Sequence, residues 1–409
     1  MTKNNKTSAT PKKSNSRSNI KYSGKTYDSG SRSLRLIKQR PFMIITVLIF
    51  AALGSWLIVG GHALTRNDSG ESQDNVARGL IYNGRKEAKS GQCKGAFETD
   101  SAPVNGKLLC SHPDPGPEGV DLRDRTKKID AELDAQVAKD AKVKPLAADA
   151  NEVSTVGAAD VGTVGSLGNV SPVSIPCTGT GTDGYRVQMI YAYASGGTNR
   201  ISYVRSGFQT IANRINAVFH NSGVATGSVR NVHFATSAVT SGACTLSLPA
   251  VAITGNIDDV NNLRTQLRAK GYNSTARKYL VELDGGTSCG WGDLYNDGIP
   301  TQDNANNSGN LFAFVWHPCW NYAEPHETMH TMGAVQIGAP YGTSKFHCYD
   351  QHDVMCYNDG SGAAMIQRCT NTVLIWRFDC GYDTYFRATG ATGWLSTHWN
   401  TANNRFLSH

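Results

Sequence analysis

Hydrophobic and polar positions divide the 409-residue chain into stretches of different periodicity. The longest apolar run, FMIITVLIFAALGSWLIVGGHAL at 42–64, has no charged residue. As a helix rising 1.5 Å per residue it would be about 34 Å long, against roughly 30 Å of bilayer hydrocarbon. A transmembrane helix is therefore predicted there. Residues 121–144 (DLRDRTKKIDAELDAQVAKDAKVK) have helical spacing with a thin apolar stripe, as in a solvated spacer. Residues 145–175 turn to Ala, Gly, Val, Ser and Thr, which suits a flexible linker. Beyond 177 the texture changes. Strand-like runs at 185–194 (YRVQMIYAYA), 229–236, 278–283 (KYLVEL) and 310–316 (NLFAFVW) alternate with helical patterns at 201–219 and 257–270, the latter with Asp258 and Asp259 in its first turn. Strands alternating with helices imply a twisted sheet covered by helices.

Charge and cysteine placement refine this division. The formal net charge is +7, but residues 1–41 carry eleven basic side chains and one acid, Asp28, leaving about −3 for 42–409. No uniformly basic surface remains for nucleic acid, so that class of partner is excluded. The Ser-, Lys- and Asn-rich tail at 1–41 has a disordered composition. Its position before the apolar run puts it in the cytoplasm and the rest outside. A cleaved signal peptide is the alternative, with Gly61-His62-Ala63 loosely resembling a cleavage site, and it exports the rest equally. All ten cysteines (Cys93, Cys110, Cys177, Cys244, Cys289, Cys319, Cys348, Cys356, Cys369, Cys380) follow the run, as expected of disulfides formed in an oxidising compartment. Their pairing stays open. Four segments result: a basic cytoplasmic tail at 1–41, an anchor at 42–64, an extracytoplasmic stalk or linker at 65–176, and a folded domain at 177–409.

The chemistry lies in YAEPHETMHTMG at 322–333. His326 and His330 stand four apart, so on a helix both imidazoles leave one face. Zinc takes neutral imidazole nitrogen, and the pair supplies two ligands from one rigid element. Glu327 is placed to accept a proton from a water that the metal acidifies. Pro325 fits only a first turn, and Gly333 ends the helix through a left-handed residue. His317, before Pro318-Cys319, and His398, in THWN, suit packing better than chemistry. Asn67, Asn169, Asn273 and Asn306 fit N-x-[ST], a hint of surface exposure.

HETMHTMG matches the first eight positions of the metzincin signature HExxHxxGxxH, and DVMCY at 353–357 resembles the Met-turn of those enzymes. The run from GTGTDGYRVQ through NANNSG, HETMHTMGAVQ, DVMCY and FDCGYDTYF to THWN resembles a group of secreted bacterial zincin-like proteins, over about residues 177–409. The resemblance implies an α+β, zincin-like fold: a twisted mixed sheet, an active-site helix beneath it, and a disulfide-stabilised C-terminal subdomain. It implies His326 and His330 as ligands of Zn2+, Glu327 as general base, Gly333 as the helix-ending turn, Met355 as the apolar floor and Tyr357 beside the metal or the developing oxyanion. One departure is plain: Gln336 stands where the signature has its third histidine. An amide is a poor zinc ligand, and a catalytic zinc needs three protein ligands. His347, next to Cys348, is the favoured third ligand; Asp350, Asp353, Gln336 and His352 are the alternatives.

These features together predict an extracytoplasmic zinc-dependent metalloendopeptidase acting on peptide or protein substrates. The alternative is a non-catalytic surface binding module on a zincin scaffold. Residues 65–175 are also a candidate pro-segment masking the cleft, with Cys93 or Cys110 capping the zinc as a thiolate.

Overall fold

The computed structural model describes residues 72–142, 167–237, 244–369 and 376–408. The predicted tail at 1–41, the anchor at 42–64 and most of the linker lie outside them. Among the described residues no helix is long and apolar enough to cross a membrane.

The architecture is mixed α/β. The strands are β1 (Phe97–Glu98), β2 (Leu109–Asp114), β3 (Arg186–Ala194), β4 (Asn231–Val232), β5 (Ala250–Ile253), β6 (Arg277–Asp284), β7 (Gly290–Tyr295), β8 (Leu311–Trp316) and β9 (Leu407–Ser408). Seven of them form one sheet in the order β1-β2-β7-β8-β6-β3-β5, and β4 pairs separately with β9. Within the large sheet β5, β3, β6 and β8 run parallel, whereas β7, β2 and β1 each pair antiparallel to their neighbours. The helices are α1 (Gln73–Ala77), α2 (Leu122–Lys142), α3 (Ile201–Val224), α4 (Val260–Ala269) and α5 (Glu324–Thr331).

The parallel strands are apolar on both faces because both faces are covered. Alternate residues serve opposite layers. Met189, Tyr191, Leu280, Ala313 and Val315 join the cluster containing α3 (Phe208, Ile211, Ile215) and Met329 of α5. Ile190, Val281, Phe312, Phe314 and Trp316 join the cluster containing Leu263 and Leu267 of α4.

Where the structure departs from the periodicity, a local cause is visible. α4 starts after Asp259, whose carboxylate accepts from the backbone N–H groups of Asn261 and Asn262 and caps the helix. Asp258 stays outside and accepts from Thr287 and Ser288 N–H instead. α3 continues to Val224, since its last turns remain buried through Val218, Phe219 and Ser222. The strand expected over 229–236 forms only as β4 and single bridges at Phe234 and Thr236. β2, β5 and β7 were not anticipated. β2 contains Pro113 and β7 contains Gly290 and Gly292, residues that weaken a strand pattern. β1 and β2, in a stretch assigned by composition to a stalk, are strands of the main sheet.

All ten cysteines pair: Cys93–Cys110, Cys177–Cys244, Cys289–Cys319, Cys348–Cys356 and Cys369–Cys380. Cys93 and Cys110 therefore offer no thiolate to a metal, which overturns the thiolate cap. Asn306 is fully buried, so its N-x-S match does not mark surface.

Candidate metal centre

α5 carries the two helical histidines. Its start is fixed by Glu324, whose carboxylate accepts from Asn321 N–H (2.6 Å) and Tyr322 N–H (2.9 Å), with Pro325 in the first turn. The C-terminal carbonyl of Thr331 accepts from the buried Lys278 ammonium, a cation suited to that end of a helix. Gly333 follows at φ +96°, and a Cβ there would lie 2.6 Å from the Asn306 side chain. Glycine is required there on both counts.

Three imidazoles and one carboxylate converge. His326, His330, His347 and Asp114 each present one donor atom, all four lying within 4.8 Å of one another, and all four residues are buried. Asp114 Oδ1 lies 3.3 Å from His326 Nε2 and 2.9 Å from His347 Nε2, and Oδ2 lies 3.6 Å from His330 Nε2. His330 Nε2 and His347 Nε2 are 3.2 Å apart. Tetrahedral zinc with bonds of 2.0–2.1 Å sets its ligand atoms about 3.3 Å apart, so this donor set fits that ion. The opposite ring nitrogens are engaged as such a site requires: His326 Nδ1 lies 2.7 Å from the Val354 carbonyl and His330 Nδ1 lies 2.9 Å from that of Ala334. Each carbonyl calls for Nδ1–H, which leaves Nε2 as a bare lone pair.

Of the candidates for third ligand, the structure brings only His347 to this cluster. Gln336 is buried, and its amide donates to the carbonyls of Tyr295 and Gly333. Asp350 accepts from Arg368 and Cys369 N–H. Asp353 accepts from Met355 N–H and from the Tyr385 hydroxyl. His352 lies on the cavity wall at φ 75°, outside the four-residue cluster. Met355 is fully buried in the main core. His317 accepts from Gly285 N–H, and His398 stacks on Trp394.

Glu327 is fully buried, with neither carboxylate oxygen hydrogen-bonded, and lies against Gly290 and Gly292 of β7. Burial pushes its carboxyl well up, and the Asp114 charge adds to this. Burial would also raise Asp114, but His326 and His347 outweigh it and hold that carboxyl well below its usual range. Burial lowers His330 to about 3. Tyr357 donates its hydroxyl to Asp114 Oδ1 (2.6 Å) and packs its ring 4.4 Å from that of His347. A cavity of about 720 Å³ opens beside these groups, lined by Glu327, His326, Tyr357, Tyr322, Val354 and Trp376 among others.

Asp114 is the member that sequence reasoning missed. It arrives through β2, whose register sets Asp114 opposite Gly290 and His112 opposite Gly292. Only the pairing of distant segments brings it there, and no local motif announces it.

No family model matches the sequence, and no curated protein is similar to it. Among solved structures, that of metalloproteinase-II from Bacteroides fragilis aligns at a TM-score of 0.25 and 11% identity, covering 62% of this chain and 67% of that one. A likeness at that level has no bearing on the chemistry.

Proposed function

We propose that the chain is a zinc-dependent metalloendopeptidase of zincin-like fold whose described form is closed by Asp114. The observation that carries this reading is the convergence of three Nε2 atoms on one point, with the unpaired Glu327 carboxyl alongside. Zinc bound there would polarise a peptide carbonyl and acidify water. The chain's own groups supply the rest. Glu327 takes the proton of the attacking water and passes it to the leaving amine. Tyr357, once its hydroxyl is free of Asp114, donates to the developing oxyanion. Val354 and Ala334 carbonyls hold two of the rings in the tautomer that presents Nε2. Met355 closes the apolar floor, and Tyr322, Val354 and Trp376 form the wall against which a peptide side chain lies.

Three protein ligands leave one position open for chemistry, whereas four close a site. With Asp114 in place the set has four, and the Asp114 charge adds to burial in raising the Glu327 carboxyl. The reading therefore requires residues 72–142 to withdraw β2 before turnover. Five disulfides suit the oxidising side of a membrane, and residues 42–64 would anchor the chain there. The four-ligand set also favours a second reading, a non-catalytic module with a permanently closed structural metal.

Zinc content and peptidase activity of the purified full chain, before and after limited proteolysis, separate the two. One zinc per chain, with activity appearing as residues 72–142 are lost, supports the peptidase. Glu327→Ala should keep the zinc and abolish that activity. An active Glu327→Ala chain sinks this mechanism, and a zinc-loaded trimmed chain inert on a broad peptide library supports the closed module.

A further inference from the structure

The three histidines of the cluster are not held alike. His326 and His330 stand on a helix, and each has a backbone carbonyl within 2.9 Å of Nδ1. His347 stands on a loop after Phe346, a residue at φ 66°, and has no helix to set its ring. Its Nε2 faces Asp114 and His330. Its Nδ1 is buried and makes no hydrogen bond, and 3.4 Å away lies the Oδ2 oxygen of Asp359.

The Asp359 side chain is only 2% exposed, which is costly for a carboxylate unless it is used. It is also firmly placed. Thr343 donates its hydroxyl to Oδ2, and Ser361 N–H donates to the carboxylate at 2.9 Å. The same Thr343 holds the ligand's backbone: its N–H donates to the His347 carbonyl (2.7 Å) and its hydroxyl accepts from His347 N–H (3.3 Å). The Cys348–Cys356 disulfide joins the residue after His347 to the residue before Tyr357, and so ties the ligand's loop to the segment bearing Asp359. One small network thus fixes the backbone of His347 and a carboxylate facing its free ring nitrogen.

We infer that Asp359 is the positioning residue of the third histidine, accepting Nδ1–H of His347 so that Nε2 is presented to the metal. The inference rests on the metal site proposed above. A metal at Nε2 leaves the ring's one proton on Nδ1, where burial makes an acceptor necessary. A carboxylate in that place orients the ring and makes it a stronger ligand than a carbonyl does. The one histidine of the three without helical support receives the stronger partner. Asp359 touches neither metal nor substrate and acts through His347.

The test uses the full-length chain carrying Asp359→Asn or Asp359→Ala. Asparagine can keep its one oxygen on Ser361 N–H, but its NH2 then replaces the Oδ2 that faces Thr343 and His347 Nδ1, so it removes the ring's acceptor while alanine removes every loop contact as well. Zinc affinity, measured against a chromophoric chelator, should fall about 10- to 100-fold in both variants. The visible spectrum of the Co(II)-substituted protein should shift in both, while the metal-free thermal midpoint falls less in Asp359→Asn, which keeps the Ser361 contact, than in Asp359→Ala. A purely structural role for Asp359 predicts a lower midpoint with an unchanged Co(II) spectrum. Parental zinc affinity and parental Co(II) spectrum in both variants overturn the inference and leave the metal site standing. A parent chain that binds no zinc overturns the site itself, and this inference with it.

Discussion

Gln336 sits three residues beyond Gly333, and both of its amide donations go to backbone carbonyls. Its side chain therefore braces the turn after α5, and Gln336→Ala should retain one zinc per chain while His347→Ala loses it, as metal analysis would report. Two members of the histidine cluster, His326 and His330, were legible because a helix converts a four-residue spacing into a shared face. His347 is favoured over Asp350, Asp353, Gln336 and His352 only for its neighbour Cys348, since no motif spacing marks a ligand on that loop. Asp353 has a different consequence. Burial raises its carboxyl to about 7, whereas an unfolded aspartate titrates near 3.9. Between those values the folded state holds a proton that the unfolded state has released, so this group's stabilisation is lost as pH rises from about 4 towards 7. Glu324, raised to about 7, and Asp379, raised to about 6, act in the same direction. Asp353→Asn should flatten, without abolishing, the decline of the metal-free thermal midpoint between pH 5 and 7. Calorimetry showing an unchanged slope would contradict the assignment.

At the scale of elements, β7 and α5 constrain each other. A Cβ at Gly292 would lie 2.6 Å from the Cβ of His330, and a Cβ at Gly290 would overlap the Glu327 carboxylate. Neither glycine has a positive φ, so each is required by the close approach of the helix rather than by its own turn. The two substitutions should therefore separate. Gly292→Ala displaces His330, a proposed ligand, as well as crowding Glu327 at 2.9 Å, and should weaken zinc at least several-fold in a chelator competition. Gly290→Ala displaces the Glu327 carboxylate, and under the proposed mechanism it should leave zinc bound while lowering kcat of the trimmed chain about 10²-fold, the scale of an ångström's misplacement. The same glycines hid β7 from the periodicity. A strand that must admit a helix gives up the β-branched side chains by which strands are recognised. β3, β6 and β8, buried on both faces, kept theirs and stood out as apolar runs. β2 was hidden for another reason: His112 and Asp114, on one face of the strand, meet the histidine cluster, and Pro113 stands between them, so the strand carries no apolar signature there.

At the scale of the molecule, composition gave no sign that residues 97–142 fold onto the domain beyond 177, nor that Leu167, Val170 and Ile175, within the stretch expected as a flexible linker, join its main core. The attachment depends on pairs far apart in sequence. β2 is joined along all six residues to β7. α2 buries Leu122 and Leu133 against the main core. Asp130 and Asp134, one turn apart on α2, both reach Arg200, at 2.9 and 3.1 Å. Arg200 is itself held from behind by the buried Asp284, which also accepts from the Tyr191 hydroxyl. The two aspartates are 39% and 67% exposed, so each contributes roughly 0.2–1 kcal/mol. Replacing them acts on the hold of α2 and leaves Arg200 paired with Asp284. Asp130→Asn/Asp134→Asn should therefore speed hydrogen exchange across α2 several-fold and hasten loss of residues 72–142 to a protease, with zinc content unchanged. If withdrawal of β2 is what opens the metal, activity should appear faster in step with that loss. Faster trimming without faster activation would show that Asp114 is not the group that keeps the site closed.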